Sequence, residues 1–136
     1  MRYLKIILAV ILFACYSDIV NGESHQIKEE HTARITYFTG TRVACQKAKF
    51  AKEGVTVAAH PKFKFGTKLY IPDLKNVIGD GNFIVQDRGP AVTSKVASKG
   101  KALVFDIYVS SRAKISKFAN KQPMYMKVYV LAEKEK

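Results

Sequence analysis

Residues 124–131 read MYMKVYVL, and their side chains alternate between two chemical types. Met124, Met126, Val128 and Val130 fall on one face of an extended chain, opposite Tyr125, Lys127, Tyr129 and Leu131. A period of two is typical of a β-strand with one face buried. The stretch therefore predicts a strand whose methionine and valine face meets the core.

Earlier parts of the chain repeat this pattern in short runs. β-Branched and aromatic residues are concentrated in ARITYFT (33–39), GVTVAA (54–59), KLYI (68–71), NFIVQ (82–86) and LVFDIY (103–108). Proline and glycine fall between the runs, so the chain turns back about every ten residues. With the last run this predicts six strands in a mainly β fold, a small closed barrel.

One segment departs from the strand pattern. Residues 110–121, SSRAKISKFANK, place Ala113, Ile115 and Phe118 at near-helical spacing. Ser110 or Ser111 can cap the start, and Pro123 stops the helix. The segment predicts one short helix between the last two strands, with its lysines on a solvated face.

Length and charge limit the function classes. The chain has 136 residues, a formal charge of +12 and 48% apolar residues. It is long enough for a single domain and too apolar for a disordered polycation. The charge predicts a polyanionic partner: nucleic acid, an acidic extracellular polymer or a membrane surface.

The N-terminal segment favours an extracellular polymer. Arg2 and Lys5 precede an uncharged run from Ile6 to Ser17, and cleavage after Gly22 fits an export signal over residues 1–22. The alternatives are a retained transmembrane helix, for which the run is short, and a lipoprotein signal at Cys15. Export predicts a secreted, periplasmic or envelope-associated monomer that meets anionic cell-wall polysaccharide, with no nucleic acid and no transmembrane segment after cleavage.

Signal removal also defines the mature chain. It takes away Arg2, Lys5 and Asp18 and leaves a charge of +11 on 114 residues. Polar residues 23–32 predict a flexible leader, residues 33–131 the barrel domain and residues 132–136 a charged tail. Cys45 is the one cysteine left, and we interpret it as a small buried residue, since no histidine stands near it in sequence.

Three polar residues stand within or directly after predicted strands, where strand propensity favours apolar residues. Asp106 interrupts the apolar run LVFDIY, Asp87 ends NFIVQ, and His60 ends GVTVAA. A buried aspartate must be hydrogen-bonded, be paired or keep its proton with a raised pKa. Asp106 is therefore a candidate site residue, or else an aspartate that ties a loop. Asp87 could equally shape a turn, and His60 could cap or pack.

The ordered motifs resemble the 3D domain, a family named for three aspartates. They are GVTVAAHP (54–61), FGTKLYIP (65–72), VQDRGP (85–90), FDIY (105–108) and KVYVL (127–131), with ITY (35–37) resembling the first strand. Asp87 and Asp106 match two of the aspartates, and His60 stands at the first. The AAH and DRGP motifs are also similar to rare lipoprotein A and expansin-like barrels.

This resemblance implies a fold and a chemistry. The fold is a six-stranded double-psi β-barrel, and the activity is lytic transglycosylase-like cleavage of peptidoglycan without a cofactor. Asp106 would be the acid and base, and Asp87 would stabilise positive charge or orient the sugar. Substrate-binding positions would be His60, Arg88, Tyr37 and Thr67.

Two other functions stay open from the residues alone. One is a non-catalytic wall-binding or wall-loosening module that uses the same groove and the basic surface. The other is a metal site built from His60, Asp87 and Asp106, although their spacing contains no tight metal motif, and we expect no metal.

Overall fold

The chain folds into a closed six-stranded β-barrel. The computed structural model describes residues 19–20, 23–24, 26–40, 43–44, 48 and 50–133. The strands in this part of the chain are β1 (Ile19–Val20), β2 (Glu23–Ser24), β3 (Ile27–Phe38), β4 (Thr56–Ala58), β5 (Lys68–Tyr70), β6 (Asn82–Asp87), β7 (Val104–Tyr108) and β8 (Tyr125–Leu131). The barrel order is β3-β7-β4-β6-β5-β8, and β1 pairs with β2 apart from it. The predicted closed barrel of six strands is thus confirmed.

Strand pairing in the barrel has an internal two-fold pattern. β3 with β7 and β4 with β6 are parallel pairs. The other four neighbouring pairs are antiparallel. Exchanging β3, β4 and β5 for β6, β7 and β8 reproduces every pair with its direction. The two halves of the barrel therefore have equivalent topology.

The barrel interior is filled by alternate residues of each strand. Met126, Val128 and Val130 of β8 are buried, whereas Tyr125 and Lys127 are exposed. The predicted faces of this strand are confirmed, except that Met124 is exposed and Leu131 is buried. Phe105 and Ile107 of β7 belong to the same core cluster. This alternation leaves the residue between them, Asp106, on the outer face of the strand.

The predicted helix is present with a serine cap. Helix α2 spans Arg112–Lys121, and the Ser111 hydroxyl accepts a hydrogen bond from the backbone N–H of Lys114. Phe118 is its buried anchor. Glu53 fixes the start of this helix, since its carboxylate accepts bonds from the Ser110 N–H and from Lys114 Nζ, which lower the pKa of Glu53.

Further short helices are present outside the segment for which a helix was predicted. Helix α1 spans Pro90–Thr93, and 3-10 turns cover Pro72–Leu74 and Val96–Ser98. Proline starts α1 and the first turn, where its fixed φ suits a helix and its missing N–H needs no partner. Elements of three or four residues are too short to show a helical period.

The expectation of a flexible leader over residues 23–32 is wrong for its second half. β3 begins at Ile27 and pairs with β8 as far as Arg34, and the Ala132 N–H donates to the carbonyl of Gln26. Lys127 Nζ lies 2.6 Å from a carboxylate oxygen of Glu30 across this ladder. The extension is polar because only its backbone pairing, and not core burial, holds most of it.

Some sequence-based predictions fall outside the described residues. They concern most of the export signal, with Cys15, the role of Cys45 and residues 134–136 of the tail. Among the described residues, none of the helices combines the length and apolar character needed to span a bilayer.

A close contact between two glycines yields a stability prediction. Gly79 has φ +69°, and a Cβ added there would lie 3.1 Å from Gly54 Cα. We expect Gly79→Ala to lower the free energy of unfolding by about 2 kcal/mol, because both the left-handed backbone and the contact oppose a side chain. Urea denaturation measures the change. The matched control is Gly89→Ala, at extended backbone with nothing within 4 Å of a Cβ; equal losses in the two variants would refute the explanation.

Candidate functional site

Asp106 lies at the centre of a cross-strand row on the outer face of the barrel. On one side β3 places Thr36 beside it, and on the other side β4 places Ala58 opposite it. Ala58 is in turn the partner of Asp87 on β6. Four neighbouring strands thus bring Thr36, Asp106 and Asp87 together.

Asp106 has the properties of a carboxylic acid that titrates close to neutral pH. Its side chain is largely buried, and the Thr36 hydroxyl donates to one carboxylate oxygen at 2.9 Å. Burial raises the pKa of Asp106 to about 6, the Thr36 hydrogen bond opposes the rise, and the negative charge of Asp87 adds to it. Such a group can both donate and accept a proton at physiological pH.

A register shift directs Asp87 to the same face. Val57 pairs with Val85, but the next residue, Ala58, pairs with Asp87, so that Gln86 is an extra residue on β6. Without the shift, alternation would turn Asp87 toward the opposite face from Ala58. Its Oδ1 accepts bonds from the backbone N–H groups of Ala44 at 3.0 Å and Arg88 at 2.8 Å.

An apolar patch surrounds one side of the acid. Ala58, Val92 of α1 and Val104 form a buried cluster against which Phe38 packs. Val104 precedes Asp106 by two residues and shares its face of β7. The patch lies on the same face as Asp106, and burial is the largest cause of the raised pKa of Asp106.

Arg88 lies at the rim near this row and binds backbone carbonyls. Its Nη1 donates to the carbonyl of Ala59 at 3.2 Å, and Nη2 donates to that of Phe63. The guanidinium also stacks 4.2 Å above the centre of the Phe65 ring, which is 41% exposed. Arg88 therefore fixes the loop after β4 and holds an exposed aromatic ring in place.

His60 and Thr67 lie at the same end of the barrel and make local bonds. His60 Nδ1 accepts from the Lys62 N–H at 3.1 Å, and the Thr67 hydroxyl donates to the Lys64 carbonyl at 2.6 Å. His60 follows β4 and Thr67 precedes β5, so both belong to the rim near Asp87. These hydrogen bonds shape the loops that carry them.

Tyr37 is a predicted site residue on the opposite face of β3 from the Asp106 row. It alternates with Thr36 on β3 and packs against the core, with its ring 5.9 Å from that of Phe118. Burial raises the pKa of Tyr37 to about 12, and its buried hydroxyl has no hydrogen-bond partner among the described residues.

Sequence reasoning missed two groups of the site. These are the Thr36 hydroxyl and the backbone N–H of Ala44. Thr36 lies in a predicted strand, but its contact with Asp106 depends on the pairing of strands that are 70 residues apart. No local pattern reports such a register.

The three residues of the metal hypothesis do not form a ligand set. In the described part of the chain no group of three or more His, Cys, Asp or Glu side chains could hold a metal ion. Asp106 and Asp87 instead bind the Thr36 hydroxyl and backbone N–H groups.

An open groove of about 620 Å³ lies elsewhere on the barrel. Its lining comes from residues 53–55, the start of β5 and the segment from Gly79 to Ile84. Residues 53–55 precede β4, and Gly79 and Asp80 precede β6, so this part of the lining is at the opposite end of these strands from Ala58 and Asp87. Glu53, one of its carboxylates, is bound to Ser110 and Lys114, so the row around Asp106 is the better candidate for chemistry.

Comparison with known proteins adds no assignment. No protein-family model matches the chain, and no curated protein matches it at a significant level.

Proposed function

We propose that the chain is an exported protein that cleaves glycosidic bonds of peptidoglycan, with Asp106 as both acid and base. The observation that carries the proposal is the raised pKa of Asp106, about 6, in a side chain that is not fully buried and that pairs with no cation among the described residues. A carboxylic acid in this state suits protonation of a leaving oxygen.

The proposed reaction needs one proton-transfer group. Asp106 gives its proton to the glycosidic oxygen as the bond from that oxygen to the anomeric carbon breaks. The resulting carboxylate then takes the proton of the C6 hydroxyl of the muramic acid, whose oxygen bonds to the same anomeric carbon. The products are a free sugar hydroxyl and a 1,6-anhydro ring, and Asp106 regains its proton. No water nucleophile enters, so a second carboxylate is not required as base.

Asp87 has an electrostatic part in this proposal. Its negative charge already acts on the pKa of Asp106. The same charge would stabilise positive charge that develops at the anomeric carbon. Two backbone N–H groups hold the Asp87 carboxylate in place, from Ala44 and Arg88.

The rim residues would contact the sugar or its peptide. His60, Arg88 and Thr67 lie at the end of the strands where Asp87 is found, and their hydrogen bonds hold the rim backbone. Tyr37 has a different role in the proposal: it supports β3 from the core side, while its neighbour Thr36 binds Asp106.

We further propose that the barrel is of the double-psi type and belongs with the three-aspartate domain. Two features support this: the two parallel strand pairs within a closed six-stranded barrel, and the equivalence of its two halves. The excess of basic residues, +12 for the whole chain, suits a monomer acting at an anionic wall.

The test is digestion of purified sacculi followed by mass spectrometry of the soluble products. We expect anhydro-muropeptides from the wild-type chain and about a thousandfold slower release from Asp106→Asn. Reducing-end products would replace the transglycosylase mechanism with hydrolysis. Sedimentation with sacculi that weakens with salt, without any soluble product, would refute cleavage and favour the wall-binding module, for which the net charge is the supporting observation.

A further inference from the structure

A loop rich in lysine lies beside the Asp106 row. This basic loop comprises residues 95–101 and contains Lys95, Lys99 and Lys101. It follows α1, whose Val92 packs against Ala58 and Val104. Since Ala58 is the cross-strand partner of Asp106, the basic loop is anchored next to the acid.

Two of these lysines have a backbone conformation that side chains disfavour. Lys95 has φ +54° and ψ +38°, and Lys99 has φ +53° and ψ +37°. They stand at the two ends of the 3-10 turn Val96–Ser98. Left-handed backbone is unfavourable for residues with a Cβ, and glycine or asparagine adopts it with less strain. Lysine at both positions therefore points to a use for its side chain.

A buried serine holds the strained backbone in place. Ser98 is 4% exposed, and its hydroxyl oxygen lies 3.0 Å from the carbonyl oxygen of Lys95 and 2.6 Å from that of Ala102. The same oxygen accepts a bond from the Ala102 N–H. The basic loop is thus a rigid element that presents its lysines in a defined arrangement.

The lysines of the basic loop have no acidic partner in the described part of the chain. Two lysine ion pairs found there join Lys114 to Glu53 and Lys127 to Glu30. The charge of the loop lysines is available to a ligand.

We propose that the basic loop binds the anionic groups of a glycan whose sugar chain passes Asp106. The inference rests on the proposed function, since it names the charge of the substrate taken at the same site. Carboxylates or phosphates on the polymer would supply the negative charge. An ammonium group on a rigid loop recognises either one, and loses less side-chain and backbone freedom on binding than one on a mobile loop.

The test compares two double variants of equal charge. Lys95→Asn with Lys99→Asn removes two loop lysines and keeps a residue suited to left-handed backbone. Lys117→Asn with Lys121→Asn removes two exposed lysines from α2. In sedimentation with purified sacculi at physiological salt, we expect about a fivefold weaker affinity for the loop variant and less than about twofold for the helix variant. Equal losses would mean attraction by net charge alone and would overturn the proposal.

Treated sacculi identify the anionic group. Amidation of wall carboxyl groups should reduce wild-type binding to the level of the loop variant if carboxylates are bound, and hydrofluoric acid extraction should do so if phosphate polymers are bound. If wild-type binding is unchanged after both treatments, the proposal is overturned. Thermal melts of the loop variant and of Lys95→Gly with Lys99→Gly check folding, and we expect no loss of stability because strain is relieved.

The proposed function and this inference fail in different ways. Wild-type protein that releases no product but loses affinity in the loop variant refutes cleavage and leaves the basic loop as a binding site. If the wild type releases anhydro products, and the loop variant matches it in both release rate and affinity for sacculi, the role of the basic loop is refuted and the proposed function is not.

Discussion

Asp106→Asn should release glycan fragments from sacculi about a thousandfold more slowly than the wild-type chain. The amide keeps the shape of the carboxyl group and can still accept the Thr36 hydroxyl bond. It has no proton to give to the leaving oxygen and cannot take one from the attacking hydroxyl. Both steps of the proposed reaction are lost together, and initial rates of muropeptide release measure the loss.

Thr36→Val is the matched control, because it keeps the carboxyl group and removes its hydrogen bond. That bond lowers the pKa of Asp106, so its loss should raise the pKa above about 6. The acid must be protonated to act, and activity of the wild type should fall as pH rises through that value. In Thr36→Val the fall should come at higher pH. Two results would contradict the role of Asp106: a release rate of Asp106→Asn within tenfold of the wild-type rate, or a fall in Thr36→Val activity at the same pH as in the wild type.

The individual strands of the barrel could be predicted from the sequence, but the order in which they pair could not. Alternation in residues 124–131 and in LVFDIY identified strands, because the spacing of side chains along one strand is local. The order β3-β7-β4-β6-β5-β8 joins segments far apart in the chain. No local pattern in the sequence indicates this order, and the double-psi form is a proposal.

The extension of β3 shows how polar composition hides a strand. Residues 27–32 have no apolar face to bury, and their sequence resembles a flexible leader. Their pairing with β8 satisfies the backbone, and His31 meets the ring of Phe63. A strand that depends on its partner for backbone hydrogen bonds leaves little signal in its own residues.

Sequence predicts a site residue where a polar side chain stands in an otherwise apolar strand. Asp106 stands out in an apolar strand, and the structure gives it a raised pKa. Thr36 does not stand out, since threonine is common in strands. The position of Asp87 depends on one extra residue in β6, Gln86, which a single sequence does not reveal.

Asp106→Asn should also stabilise the folded protein at neutral pH. The folded pKa of Asp106, about 6, lies above the unfolded value of 3.8. Between these values the folded state holds the proton more tightly, so the contribution of Asp106 to stability falls as pH rises from about 4 to about 7. The full shift corresponds to about 3 kcal/mol at 1.36 kcal/mol per pKa unit. Asp106→Asn should recover about 2–3 kcal/mol at pH 7.5 and almost nothing at pH 3.5, as measured by urea denaturation.

Asp73→Asn serves as the control, since Asp73 is an exposed carboxylate in the first 3-10 turn. Its substitution should change stability by less than about 0.5 kcal/mol at either pH. If Asp106→Asn gained no more than this control at pH 7.5, the carboxylate would not be destabilised by burial. A gain that grows with pH, combined with lost turnover, would mean that the fold bears the cost of a buried ionisable group whose use is proton transfer. A gain with unchanged turnover would leave Asp106 destabilised by burial without a part in the chemistry.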